Sequence, residues 1–262
     1  MKFFLASLLF TIILTSFGLQ QKPTKSDFKK NFAALYDNLY MGKYEVSNSA
    51  YKQFLKAQKE ALSAADYNML EVDPQTFSKQ DSKLNPFDKY YFVHGAYDNY
   101  PVVGISHHAA KVYCDWLTAE YANELIRGKH VKFSLPSMKA WQYAGNSGVA
   151  SKQFSWGTGF IKNNRGMFLA NFKGSFNKAA DDEAKALGAL DRILITSPVK
   201  SFYPSTVGVY NLCGNVAEML DDEGIAAGGS FLSEVNEITL NSFKKYENPN
   251  VSIGFRVMAS LY

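Results

Sequence analysis

Four residues in one short stretch have the chemistry to bind a hard cation. Asn211 offers an amide oxygen, Glu218 offers a carboxylate, and Gly214 and Val216 lie between them with backbone carbonyls. Calcium takes roughly six to eight oxygen ligands of these kinds. The close spacing is compatible with a calcium loop, but spacing alone favours the alternative, a loop held only by its own hydrogen bonds.

The surrounding stretch, residues 197–220, is predicted to be irregular and buried. It sets Pro198, Pro204, Gly208 and Gly214 among short apolar pieces, and such turn-forming residues interrupt regular structure. Buried irregular backbone leaves carbonyl groups without ladder partners. Those carbonyls need hydrogen bonds or a cation.

Helices and strands elsewhere in the chain must position this loop. Ser47–Lys59 and Ser106–Arg127 repeat apolar residues at helical spacing, and each begins with a serine that suits an N-cap. Shorter helices are predicted within Ala61–Leu70 and Leu135–Ala144, and Phe32–Tyr44 is predicted to enter the fold as a strand. This mixture agrees with an α+β fold without specifying one.

The composition and charge exclude some classes of function. The formal net charge of +4 is mild and spread along the chain, so no nucleic-acid groove is expected. The four histidines are scattered, and His107 and His108 are adjacent on a predicted helix, where they point in different directions. A catalytic transition-metal site is therefore not predicted.

The loop stretch also resembles a known family. Residues 197–220 read S-P-V-K-S-F-Y-P-S-T-V-G-V-Y-N-L-C-G-N-V-A-E-M-L. This stretch resembles a signature of the formylglycine-generating enzyme (sulfatase-modifying factor) family. Six further blocks resemble the family's in the family's order, at 41–54, 100–117, 135–144, 154–157, 228–231 and 254–256. The resemblance implies one α+β domain of the formylglycine-generating-enzyme fold, which is C-type-lectin-like. That fold is a twisted antiparallel sheet with flanking helices and much irregular structure.

The resemblance also implies two structural calcium ions. Calcium-containing members bind each ion through side-chain and backbone oxygens at matching positions. For the first ion these are Asn171, Phe172, Asp191 and Ile193. For the second ion they are Asn211, Gly214, Val216 and Glu218. Alternatively, Asn171 and Asp191 only cap turns.

The family's catalytic thiols have no counterpart at their expected positions. Its chemistry is copper-dependent oxidation of a substrate cysteine to formylglycine, and it needs two thiols after the G-G-S block. Here those positions hold Ser233 and Ile238, whereas Cu(I) prefers soft thiolate ligands. We therefore expect no copper and a non-catalytic protein. The alternative is a divergent formylglycine-generating oxidase that acts on a cysteine of a sulfatase-like substrate.

The two cysteines, Cys114 and Cys213, leave two possibilities open. An even count in an exported chain permits a disulfide. Their separate surroundings favour two buried free thiols instead, and the family's partner for a cysteine at the position of Cys114 is missing here.

Residues 1–20 are predicted to be a secretory signal peptide. Lys2 precedes an apolar run, and Ser16-Phe17-Gly18 offers small residues for cleavage. The alternative is an uncleaved anchor helix. We expect a secreted or periplasmic protein without stable membrane insertion after cleavage.

The rest of the chain is predicted as a leader segment at 21–39 and the family domain at 40–262. Residues 72–100 carry no family block and form an insertion-like region, where protein-specific surfaces are common. Its aromatic residues around Tyr91 would either stack on a carbohydrate or pack in the core. The expected function is extracytoplasmic binding or scaffolding, for example as an accessory of an envelope, gliding or secretion assembly. The partner would be a protein, peptide or glycan of the cell envelope.

Overall fold

Short strands and helices joined by long irregular segments make up the fold. The computed structural model describes residues 22–175 and 195–262. Within these residues the strands are β1 (Phe32–Ala34), β2 (Leu39–Gly42), β3 (Val131–Ser134), β4 (Ala217–Met219), β5 (Ile225–Ala227), β6 (Phe243–Lys245), β7 (Ile253–Gly254) and β8 (Met258–Leu261). The helices are α1 (Lys25–Asn31), α2 (Asn48–Gln58), α3 (Ala64–Asn68), α4 (Asn85–Tyr90), α5 (His107–Glu120) and α6 (Met138–Asn146).

The described strands form two four-stranded sheets. The first has the order β1-β2-β8-β3 and is antiparallel throughout, so the C-terminal strand lies between the N-terminal hairpin and β3. The second has the order β6-β5-β4-β7. The predicted α+β class is confirmed. The sheets are not purely antiparallel as predicted, because β4 pairs with β7 in parallel.

Serine caps fix where the main helices begin. The hydroxyls of Ser47, Ser106 and Ser137 accept hydrogen bonds from backbone N–H groups in the first turns of α2, α5 and α6. The predicted helix from Ser106 ends at Glu120 rather than near Arg127. Its last turn tightens there, since the N–H of Tyr121 bonds the carbonyls of both Ala119 and Leu117.

The described part of the predicted leader, residues 22–39, is folded. Thr24 and Asp27 form a capping box that starts α1. Phe28 is 3% exposed and stacks on Phe32 with 4.7 Å between ring centroids. Because burial of these rings ties α1 to the core, the domain includes residues before position 40. The stretch Phe32–Tyr44 is a hairpin of β1 and β2 rather than one strand.

Residues 72–100 are an integral part of the core and not only a surface insertion. Tyr91 is 2% exposed, and its hydroxyl donates to the carbonyl of Pro101 at 2.7 Å. The amide of buried Asn48 donates to the carbonyls of Tyr91 and Tyr97, each at 3.0 Å. The aromatic residues here therefore pack rather than offer a carbohydrate platform, although Tyr90 is 54% exposed.

The predicted signal peptide, residues 1–20, lies outside the described residues. Across residues 22–175 and 195–262, no helix combines the length and apolar character needed to span a membrane.

Candidate functional site

The loop that follows Tyr210 depends on left-handed backbone at three positions. Asn211 has a φ of 56°, Gly214 of 84° and Asn215 of 66°. A Cβ on Gly214 would lie only 2.4 Å from the carbonyl oxygen of Asn171. Glycine therefore permits the close approach in which the N–H of Asn215 donates to that same oxygen at 2.8 Å. The loop and the segment around Asn171 are thereby joined.

Asn211 is held by its amide nitrogen and leaves its oxygen free. Its Nδ2 donates to Oε2 of Glu45 and to the carbonyl of Val199, both at 3.1 Å. Its Oδ1 is buried and has no hydrogen-bond partner among the described residues. A buried acceptor without a partner is uncommon, and it is the kind of atom that a cation takes as a ligand.

Glu45, which the sequence analysis did not single out, lies beside this loop. Its Oε1 accepts a hydrogen bond from Nδ2 of Asn215 at 2.8 Å, while its Oε2 accepts from Asn211. Burial raises the pKa of the Glu45 carboxyl to about 7, against the opposing effect of the Arg256 charge. Its place in the block at 41–54 was the signal that could have identified it.

Glu218 belongs to a buried ion pair that the sequence analysis also missed. Nε of Arg256 donates to Oε2 of Glu218 at 2.5 Å, and a second guanidinium nitrogen donates to Oε1. The indole of Trp141 donates to Oε2 at 2.8 Å. Since each carboxylate oxygen has two acceptor positions, these three donors leave one position open, on Oε1.

Arg256 links this ion pair to two other parts of the chain. It donates to the carbonyl of Gly42 at 2.9 Å and to that of Tyr210 at 2.7 Å. The first carbonyl belongs to β2, and the second belongs to the residue just before Asn211. The guanidinium therefore fixes the start of the candidate calcium loop.

The first predicted calcium site can be described only in part. Nδ2 of Asn171 donates to the carbonyl of Ile195 at 2.9 Å. Phe172 is buried, and its carbonyl accepts from the N–H of Ser175 at 2.9 Å. Asp191 and Ile193 lie outside the described residues.

The second predicted site offers two buried side-chain acceptors, although its one carboxylate, Glu218, is already paired with Arg256. Among the described residues, no group of three or more His, Cys, Asp or Glu side chains is placed to hold a metal. The side-chain acceptors are Oδ1 of Asn211 and the open position on Oε1 of Glu218, and the backbone carbonyls of Gly214 and Val216 complete the predicted set. The first two are the observed support for a cation, because both are buried acceptors with unused capacity.

The positions that match the family's catalytic cysteines hold structural side chains. The hydroxyl of Ser233 accepts from the N–H of Ser230 at 3.1 Å and closes a turn. Ile238 is 0% exposed and packs in one hydrophobic cluster with Trp141 and Leu240. Neither residue supplies a thiolate, so this pair does not fit the copper chemistry of the family.

Both cysteines are buried free thiols, so they do not form the disulfide considered as one alternative. Cys114 lies on α5 in one core cluster, and Cys213 lies in another. Burial raises the pKa of the Cys213 thiol to about 12 and also raises that of Cys114. At neutral pH both are protonated, which makes them poor nucleophiles and poor metal ligands.

Comparisons with known proteins place this chain among relatives of one kind. The family model described as "Sulfatase-modifying factor enzyme 1-like domain" matches residues 18–261. The mouse (Mus musculus) formylglycine-generating enzyme is 28% identical over 208 residues, which cover 71% of this chain and 49% of that enzyme. A cattle (Bos taurus) protein named inactive C-alpha-formylglycine-generating enzyme 2 is 32% identical over 120 residues, 45% of this chain and 32% of that protein. The chain thus spans half the length of these relatives or less.

A solved structure shares the fold. PvdO from Pseudomonas aeruginosa superposes with a TM-score of 0.56 at 18% identity, covering 87% of this chain and 83% of that one. At this identity the likeness shows the fold alone. Because the family model extends over nearly the whole chain, this protein belongs to the family of sulfatase-modifying factor enzyme 1-like domains.

Proposed function

We propose that this protein is a non-catalytic member of the family that acts by binding a partner. The observation that carries the proposal is the chemistry at Ser233 and Ile238, where a turn hydroxyl and a buried aliphatic side chain replace two thiols. The buried, protonated state of Cys114 and Cys213 supports it, since neither thiol is available in their place. The existence of a relative named inactive is compatible with such a role.

The rival function is oxidation of a substrate cysteine by a relocated site. The purified protein and the mouse enzyme would be incubated with Cu(I), oxygen and a cysteine-containing sulfatase peptide. We expect oxygen uptake and formylglycine, detected by mass spectrometry, only with the mouse enzyme. Turnover by this protein that is abolished in Cys114→Ser or Cys213→Ser would overturn the non-catalytic assignment and identify the thiol responsible.

Export is part of the proposed function. The apolar run in residues 1–20 supports a cleaved signal peptide and a secreted or periplasmic location. The mature N-terminus would then lie between Leu19 and Lys22. N-terminal sequencing of the native protein tests this, and an intact Met1 in the membrane fraction would instead indicate an anchor.

A structural calcium is the cofactor that we propose for this fold. Oδ1 of Asn211, which is buried and has no partner among the described residues, and the remaining acceptor position of Glu218 support an ion at the second predicted site. When bound, Ca2+ would hold the loop and would take no part in chemistry. The first site, at Asn171, Phe172, Asp191 and Ile193, remains a prediction from the family resemblance.

The partner is proposed to be a protein, peptide or glycan of the cell envelope. Residues 72–100 carry no family block, which favours a protein-specific partner surface in this region. Burial of Tyr91 narrows that surface to exposed side chains such as Tyr90 and Val93. Affinity capture from an envelope fraction, with Tyr90→Ala and Val93→Ala variants as comparison, tests this part of the proposal.

A further inference from the structure

A large open cleft lies away from the residues that match the family's catalytic positions. Its volume is about 870 Å³, within the size range of small-molecule sites. Its walls come from the start of α1, the turn between β2 and α2, the second half of α5 and the segment Val199–Lys200. Ser233 and Ile238 are not among the lining residues.

The polar part of the cleft is dominated by uncharged side chains. Hydroxyls and amides from separate elements line it: Thr24, Ser26, Asn31, Ser47, Gln53 and Asn99. Two lysines and three carboxylates also line it. Of the carboxylates, Asp27 bonds Thr24 at 2.7 Å and Glu45 bonds the amides of Asn211 and Asn215. The cleft therefore lacks the single-sign field that would select a polyanion or a polycation.

Aromatic rings supply the apolar part of the same walls. Tyr44 and Trp116 line the cleft and are partly exposed. Tyr113 packs behind Trp116 at 5.3 Å between ring centroids, and Tyr210 packs against Tyr44 at 5.2 Å. The packing holds both rings in fixed orientations, so little conformational entropy is lost when a ligand stacks on them.

We infer that this cleft binds a neutral oligosaccharide. A pyranose ring presents C–H groups that stack on the electron-rich face of Tyr44 or Trp116. Its hydroxyls exchange hydrogen bonds with the amide and hydroxyl side chains of the cleft. The balanced charge favours a neutral sugar over a phosphorylated or sulfated one.

An extended peptide fits the cleft less well. Peptides commonly add a strand to a free sheet edge. Phe32 is the one residue of the edge strand β1 that lines the cleft, so the wall offers little edge to pair with. Recognition here depends on side chains from three helices instead. Binding of a glycan presupposes the non-catalytic binding function proposed above, and names its ligand class.

Titration calorimetry on the full mature chain tests this site. The probes are cellohexaose, chitohexaose and maltohexaose, with a heparin hexasaccharide and a Lys-Gly hexapeptide as competitors of other classes. Trp116→Leu keeps an apolar side chain and removes the aromatic face from the cleft wall, and we expect about tenfold weaker binding, as for the loss of one stacked ring. Tyr44→Ala should weaken binding at least as much. The matched control is Phe160→Ala, which removes a 77% exposed ring that does not line the cleft.

Every result of the calorimetry either supports or overturns the proposed sugar site. Binding of at least one neutral hexasaccharide that is weakened by Trp116→Leu and unchanged by Phe160→Ala supports the site. No neutral sugar bound at millimolar concentration, equal effects of both variants, or preference for heparin or the peptide overturns it. The oxygen-uptake assay is independent, so the non-catalytic function can stand when this ligand class fails.

Discussion

The carboxylate of Glu218 and the guanidinium of Arg256 form an ion pair in which only 1% and 0% of the two side chains are exposed. The parallel pairing of β4 with β7 sets Glu218 opposite Gly254, two residues before Arg256. The pair therefore results from the one parallel connection seen among the described strands. It stabilises the loop at Asn211 through the further bond from Arg256 to Tyr210.

Removing one partner of this pair should be costly. Arg256→Met leaves the Glu218 carboxylate buried without its counterion, and we expect a loss of about 3–5 kcal/mol in the free energy of unfolding. Glu218→Gln with Arg256→Met together should cost less than the sum of the single changes. Urea denaturation at pH 7 measures both.

The control for the ion pair is the exposed contact between Lys173 and Glu234. Lys173→Met should leave the urea midpoint unchanged, because solvent screens that pair. A midpoint shift for Lys173→Met as large as that for Arg256→Met would show that burial is not the cause.

Two glycines with similar backbone angles should respond differently to a methyl group. Gly214 and Gly208 have φ values of 84° and 90°. A Cβ on Gly214 would lie 2.4 Å from the carbonyl oxygen of Asn171, whereas a Cβ on Gly208 would have no atom within 4 Å. Gly208→Ala should cost about 1–2 kcal/mol for left-handed backbone alone. Gly214→Ala should cost at least about 1–3 kcal/mol more, because the loop must move away from Asn171. Equal denaturation midpoints for the two variants would contradict this account.

Calcium should stabilise the protein through Asn211. A ligand at a hundredfold excess over its dissociation constant raises the free energy of unfolding by about 2.7 kcal/mol, so a chelator should lower the Tm. Asn211→Gly tolerates the φ of 56° and removes Oδ1, and it should abolish most of the difference between calcium and chelator.

Asn215→Gly is the matched control for the calcium prediction. Asn215 has the same left-handed backbone and also contacts Glu45, but it is not a predicted ligand. Its substitution should lower the Tm and retain the calcium response. Identical melting of the native protein in calcium and in chelator would rule out the ion and leave a loop held by hydrogen bonds.

Neither cysteine should react in the folded protein. At pH values below its pKa, an accessible thiol reacts about tenfold faster for each unit by which the pH rises, since the thiolate is the nucleophile. Because burial raises the pKa of Cys213 to about 12 and also raises that of Cys114, alkylation should be negligible at pH 7 and at pH 8.5. Mass spectrometry should find two labels only in denaturant. Val93→Cys, at a position that is 72% exposed, is the reactive control, and a single native label would refute burial of one thiol.

Local chemistry along the chain was enough to predict several features. Serines before apolar repeats predicted the starts of α2 and α5, because an N-cap needs only a side-chain oxygen and the next three residues. The order of short family blocks predicted the fold class. The amino-acid sequence alone showed that Ser233 and Ile238 replace the two thiols of the family.

Only the tertiary structure decided what surrounds those residues. The sequence offered Glu218 as a calcium ligand, and only the structure shows that its carboxylate is paired with Arg256, 38 positions further along the chain, with one acceptor position left. The aromatic residues around Tyr91 were expected either to stack on a carbohydrate or to pack in the core, and long-range contacts such as that between the hydroxyls of Tyr91 and Thr196 decided for the core. The cleft beside Trp116 joins helices distant in sequence. Such ion pairs, buried rings and clefts depend on long-range packing, which the sequence by itself could not determine. Caps and turns depend on neighbours within a few residues, so the sequence could determine them.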